Sequence, residues 1–374
     1  HNQLKKMGQI HANLAIANFT NTLFEVYKQI PKTTDFLSMF FPAKISNSRY
    51  IYYAAWRQGE PKAVDVIRGT DGNRNTFSIH TDKVQDPPYF REYFDITQTD
   101  LYYRAWDSAL IDTSRMADWM AWVADNLHSL HDKIKRSYEY QRAQVLQTGI
   151  ITYSDGTTVN FHRKSQSIIP YSAGISWATK TAGVSDVNPY TAMAEGAQFL
   201  RTYGKSMGGN YIVIMGDAAK AAFDTNTYVL DRQSTFNMKL DDLTPPFREN
   251  NCSAYHGRIS IGSYTADVFT YPQFYDASTP ANPNTSTSYI DPNAVIILPM
   301  DPRFIMGYAA VPYLPKSDQS GLDLRMPAVQ AGEFMIGEYI DQKKKTWELD
   351  IRSAGFAFPI AVDEIYTLYP TNVE

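Results

Sequence analysis

Between residues 113 and 148 apolar side chains recur in steps of three and four: Met116, Trp119, Met120, Val123, Leu127, Leu130, Ile134 and Tyr138. Neither proline nor glycine interrupts the span. The spacing predicts one continuous helix of roughly 50 Å at 1.5 Å per residue, about three times the usual globular length. Asp112 or Thr113 is placed to cap its start and Gly149 to close it. A heptad repeat with charged flanks is not sustained, so the pattern describes a strut packed on a sheet rather than a coiled coil.

The pattern on either side is different. Residues 1 to 46 combine a short amphipathic stretch with the apolar cluster Phe36-Leu37-Ser38-Met39-Phe40-Phe41-Pro42, which suits short helices or an arm laid on another surface. From Arg49 to Leu101, Ile51–Trp56, Val64–Ile67 and Phe77–Val84 read as short strands, with turns at Gly59-Glu60-Pro61 and Gly69 to Asn73. Few apolar residues lie between Arg57 and Asp86. A two-stranded ribbon of this kind is marginal in water alone, so it is expected to lie across an adjacent subunit. The residues expected at that contact are Val64, Val66 and Phe77 along the ribbon, with Arg68 and Arg74 near its tip.

Beyond the helix come a hairpin with its turn at Ser154-Asp155-Gly156, a helix from about Pro189 to Tyr203, and the buried-type strand Tyr211–Met215. Asp217 is expected to cap a short helix, Ala218 to Phe223. Ile259–Tyr271 alternates like strands, Pro272–Asp291 reads as an exposed polar insertion, and Ala294–Leu298 as another buried strand. Phe334–Ile340 and Thr346–Arg352 flank a turn, and Phe356–Ile360 and Ile365–Tyr369 close the chain.

Charge narrows the class. The 374 residues carry 35 basic and 39 acidic side chains, a net of −4, without the basic excess usual where phosphates are gripped. One cysteine, Cys252, excludes an internal disulfide framework and a cysteine-rich zinc site. There is no bilayer-length apolar run and no signal-peptide pattern, so no membrane partner is expected. The first residue is His1 rather than Met, which points to a segment preceding it in the gene product, removed from it, or replaced by an added one.

Candidate chemistry is sparse. Gly204-Lys205-Ser206 suggests a phosphate loop, but position 199, where that motif needs glycine, is Phe, and the triplet follows a helix and precedes a strand. It reads as a helix-ending turn. His128 and His131, with Asp132, share one face of the long helix, but no further ligand completes a metal spacing, so solvated or interface histidines are expected. Lys343-Lys344-Lys345 reads as a solvated turn, and Asp301-Pro302-Arg303 as turn chemistry. No residue is expected to be catalytic, to hold a cofactor or to bind a metal.

The order of elements, from arm and ribbon through long helix and hairpin to an α/β lobe and returning strands, resembles the Hong Kong 97 capsid fold. More narrowly, the chain resembles the lambda-type major head protein family. Phe36 to Pro42 is similar to the apolar arm segment before that family's extended loop, and Val66-Ile67-Arg68-Gly69 to its loop strand. Glu139 to Gly149, with Ala143, Leu146 and Thr148 leading into Ile150-Ile151, is similar to the exit of the long helix. Trp347 to Leu368, with Arg352-Ser353-Ala354, Pro359 and Asp363, is similar to the closing strands.

The resemblance implies an α+β fold with an N-terminal arm (1–46), an extended β-ribbon loop (47–101) and a peripheral domain (102–164) holding the spine helix 113–148. An axial domain (165–325) and peripheral return strands (326–374) follow. It implies a non-enzymatic subunit of an icosahedral phage head, assembling with itself into hexamers and pentamers around packaged double-stranded DNA. Portal, scaffold and decoration proteins are the implied partners, the virion the implied location, and the bacterial cytoplasm the place of assembly. The covalent lysine–asparagine crosslink of some members is not carried over, since no matching motif is visible. A slightly acidic subunit lets packaged DNA slide without sequence preference. Two rivals remain: a shell protein of a microbial compartment with the same fold, and an enzyme with an unfamiliar site in the central lobe.

Overall fold

The structure is a computed structural model describing residues 35–55, 81–97, 113–171, 175–178, 185–236, 253–278, 282, 285–313, 328–330, 332–341 and 346–370. Thr113–Gln147 forms one uninterrupted 35-residue helix. Its inward stripe is Val123, Leu127, Ile134 and Tyr138, all buried, while the side chains of Met116, Trp119 and Met120 lie outside the described residues. The stripe lies on a three-stranded antiparallel sheet of Met335–Asp341, Thr346–Ser353 and Phe90–Thr97. Tyr138 meets Phe90 edge-on at 5.4 Å and Trp122 meets Phe94 at 6.2 Å, the geometry aromatic quadrupoles favour.

Phe90–Thr97 falls within the span expected to form the extended loop (47–101). It is the edge strand of this sheet, with eight residues paired to Thr346–Ser353. Its sequence alternates inward Phe90, Phe94 and Ile96 with outward Arg91, Tyr93 and Asp95, the period of two that a half-buried strand requires.

Toward its end the helix is buried on nearly every side, from Tyr138 and Glu139 through Leu146 except at Tyr140 and Gln144. Here it enters the lobe built on a six-stranded sheet. That sheet runs Ala254–Ile261, Tyr264–Thr270, Asn210–Met215, Val295–Pro299, Tyr366–Tyr369, Ile168–Pro170. Two of its pairings are parallel, Asn210–Met215 with Tyr264–Thr270 and Tyr366–Tyr369 with Ile168–Pro170; the rest are antiparallel. The two apolar runs at its centre divide by parity. Ile212, Ile214, Ile296 and Leu298 join the core beneath the long helix, whereas Tyr211, Val213, Met215, Val295 and Ile297 join a second core. That second core is closed by the helices Pro189–Thr202 and Asp217–Thr225. A strand covered on both faces reads as continuously apolar for this reason.

Several local expectations change. Asn188 caps the helix Pro189–Thr202, its side chain accepting from the Tyr190 N–H. Asp217 lies inside the first turn of its helix, and the cap position is Gly216; an acid there still favours the positive end of the helix dipole. Thr227–Phe236 is a further helix. The polar insertion after Pro272 forms a hairpin, Phe274–Asp276 paired with Ser286–Ser288. Tyr366–Tyr369, expected among the return strands, is an interior strand of the six-stranded sheet. Phe36–Phe40 forms a turn of 3-10 helix, and Phe36 and Leu37 are fully buried in this chain's own core rather than laid on another surface.

Candidate assembly surface

Ile51–Ala55 and Thr81–Gln85 form an antiparallel pair, from Ile51 opposite Gln85 to Ala55 opposite Thr81. The chain leaves this pair at Ala55 and returns at Thr81. Alternation divides the pair into two faces. Ile51 and Tyr53 point inward, and the Tyr53 ring packs on Phe161, Phe356 and Phe358 at 6.2, 5.8 and 5.1 Å. Tyr52 and Val84 point outward, 63% and 55% exposed, and Ile45 and Tyr50 add to the same exposed apolar set. Arg49 donates to Asp86 at 2.6 Å beside the first rung; both side chains are exposed, so this pair contributes little stability and mainly fixes register.

The contact residues expected from the sequence, Val64, Val66, Arg68, Arg74 and Phe77, lie outside the described residues. The sequence reading missed Tyr52 and Val84, which the structure brings out at the base of the same segment. Their signal was the alternation Ile51-Tyr52-Tyr53, legible once the face carrying Ile51 is known to be buried.

Buried charges hold the segments around this surface in place. Glu139 accepts from the Leu37 N–H and from the Arg142 guanidinium, both at 2.9 Å, tying the 3-10 turn to the long helix. Burial pushes the Glu139 carboxyl above its ordinary range, against the pull of Arg142. The hydroxyl of Tyr271, from the central lobe, is raised by burial and by the charge of Glu139. In the three-stranded sheet, the buried Asp350 accepts from Arg91 at 2.7 Å and from Arg352 at 2.6 and 2.8 Å.

Arg163 joins the helix end to the six-stranded sheet. It donates to the carbonyls of Leu146 and Gln147 at 3.0 and 3.1 Å, to Ser167 O at 2.9 Å and to Ile365 O at 3.1 Å. Its remaining bonds go to Thr367 Oγ1 and Ser167 Oγ. The last carbonyls of a helix have no partner within it, and a guanidinium fork is suited to supply one. Desolvation lowers Arg163 to about 9, so it remains a cation at neutral pH.

Gly204-Lys205-Ser206 is indeed a turn leaving a helix: a Cβ at Gly204 would meet Asp363 O and Leu200 O at 2.7 Å, and Lys205 has φ 55°. Such a closed turn offers no phosphate cradle. His131 corrects the expectation of a solvated or interface histidine. It is buried within the chain, with Phe334 edge-on at 4.2 Å. An open groove of about 520 Å³ separates the end of the long helix from the 274–288 hairpin and is lined in part by Tyr140, Gln147, Tyr275 and Tyr289. Among the described residues, no helix is long and apolar enough to cross a membrane.

The model of the family described as phage major capsid protein E matches residues 20–363. The chain belongs to that family. Its members are structural, and the protein is a shell subunit of a phage head. Among solved structures, the capsid protein is similar to a protein assigned as the capsid protein of a prophage of Escherichia coli CFT073. The identity is 14% and the TM-score 0.61, over 94% of this chain and 99% of that one. It is also similar to a phage-related protein from Bordetella bronchiseptica RB50, at 9% identity and TM-score 0.52, over 94% and 96% of the two chains. No curated protein sequence matches it. At these identities the likeness concerns fold: the α+β architecture is that of the Hong Kong 97-like capsid proteins.

Proposed function

We propose that this capsid protein assembles into hexamers and pentamers of a closed icosahedral head, with residues 56–80 reaching from the paired strands Ile51–Ala55 and Thr81–Gln85 onto a neighbouring copy. The observation that carries this reading is the two-faced base of that segment. Ile51 and Tyr53 anchor it in the core, while Tyr52 and Val84 leave apolar surface for a partner to cover. Val64, Val66 and Phe77 would extend that apolar contact, and Arg68 and Arg74 would meet carboxylates of the neighbour, setting register more than affinity.

In this reading the three-stranded sheet with the long helix forms the peripheral part of the subunit, and the six-stranded sheet the axial part. Packaged double-stranded DNA is contacted weakly and without sequence preference, in keeping with the net charge of −4. The subunit performs no catalysis, assembles in the bacterial cytoplasm, and meets portal, scaffold and decoration proteins during or after closure. Replacing residues 62–80 by a short glycine-serine linker tests the central claim. Thermal unfolding of the subunit should be unchanged while sedimentation shows only monomers or isolated capsomers. Closed shells of normal size from the shortened chain would refute it.

A further inference from the structure

His128, His131 and Asp132 stand at positions i, i+3 and i+4 of the long helix, which places them on one face. Their donor atoms all lie within 4.8 Å of one another. His128 Nε2 is 3.6 Å from Asp132 Oδ2, and His131 Nδ1 is 3.7 Å from Asp132 Oδ1. Both separations exceed a good hydrogen bond. They are close to the edge of a coordination tetrahedron, since two ligands each about 2.05 Å from a zinc-like ion stand roughly 3.3 Å apart.

The surroundings favour a ligand here. His131 is buried, its ring fixed by Phe334 at 4.2 Å, so one donor is already oriented. His128 and Asp132 are only partly buried, which leaves the outward side open to water and to an entering ion. The two imidazoles lie with centroids 5.9 Å apart, and each faces one oxygen of the Asp132 carboxylate, His128 toward Oδ2 and His131 toward Oδ1. A rigid helix supplies all three donors, so little side-chain freedom remains to be lost on binding.

We propose that His128, His131 and Asp132 form a binding site for one borderline divalent transition-metal ion of the zinc class, with water completing the coordination. Two imidazole nitrogens and one carboxylate oxygen suit that class, and the hard ions magnesium and calcium are excluded by the nitrogen donors. The site is independent of the shell role, because its ligands come from one helix of one chain.

The test is a titration of the chelator-stripped full chain with cobalt(II), followed by visible absorbance, and with zinc(II), followed by calorimetry. One equivalent per chain should bind, zinc should displace cobalt, and excess magnesium should not compete. His128→Ala and Asp132→Asn should each weaken binding at least about tenfold, with far-UV circular dichroism unchanged. His162→Ala, in the exposed turn after the first hairpin, should leave the affinity as it is. His131 is left intact because its ring also packs on Phe334. Binding below half an equivalent, or equal affinity in the wild-type chain and the His128→Ala/Asp132→Asn double variant, overturns the proposal.

Discussion

Replacing Arg163 by methionine keeps an unbranched stem and removes the guanidinium alone. Four backbone carbonyls, of Leu146, Gln147, Ser167 and Ile365, then lose a donor in a partly buried place, and of these only Leu146 O keeps another, the Thr367 hydroxyl. At about 1 kcal/mol for each of the three carbonyls left without a partner, the loss is about 3 kcal/mol. For a chain of this length that lowers Tm by about 4 °C, from an unfolding entropy of roughly 2.1 cal/mol/K per residue. Arg163→Lys keeps the charge but cannot reach four carbonyls at once, so it should recover less than half of the loss. Gly149→Ala acts on the same element, because Gly149 has φ +69° and a Cβ there would stand 2.4 Å from Arg163 Cδ. The double variant should therefore be less destabilised than the two single effects added together. Urea unfolding of the unassembled subunit, read by circular dichroism, measures all of these. Arg163→Met within about 1 kcal/mol of wild type would refute the view that this fork holds the helix end to the sheet.

Further outcomes follow from the same geometry. Leu127→Ala, which empties a fully buried position between helix and sheet, should cost about 3 kcal/mol in denaturant unfolding, whereas Ser129→Ala on the outward face should be nearly neutral. Because burial raises the Glu139 carboxyl, the folded chain takes up that proton before the unfolded chain does as pH falls. The stability of wild type relative to Glu139→Gln should therefore grow between about pH 7 and about pH 5, and a flat or shrinking difference in chemical unfolding would contradict it. Tyr52→Ser should change subunit stability by no more than about 0.5 kcal/mol, yet shift sedimentation toward unassembled species, since its ring is exposed in the single chain.

Periodicity alone was enough for the long helix, because a run of thirty-five residues without proline or glycine leaves a 3.6-residue repeat no competing reading. The same holds for the first hairpin, where Gly156 takes φ +84°, and for the two apolar strands Asn210–Met215 and Val295–Pro299. Sequence also supplied the family, through the order and spacing of stretches that are each degenerate alone. What it left undecided depends on contacts between residues far apart in the chain. Whether Phe36 and Leu37 meet another subunit or their own core is settled by Glu139, about a hundred positions away, accepting from the Leu37 N–H. Which residue of the pair Tyr52 and Tyr53 faces outward depends on the position of Phe356 and Phe358. Arg163 carries no local pattern: besides nearby Ser167, its partners are a helix end and residues some two hundred positions downstream, among them Thr367 of a strand. His128, His131 and Asp132 were visible as a spacing, but only the Phe334 ring makes one of those imidazoles a buried, oriented donor. Local patterns set which face of an element is apolar; only the tertiary structure sets what that face meets, because burial and pairing are properties of the assembled chain.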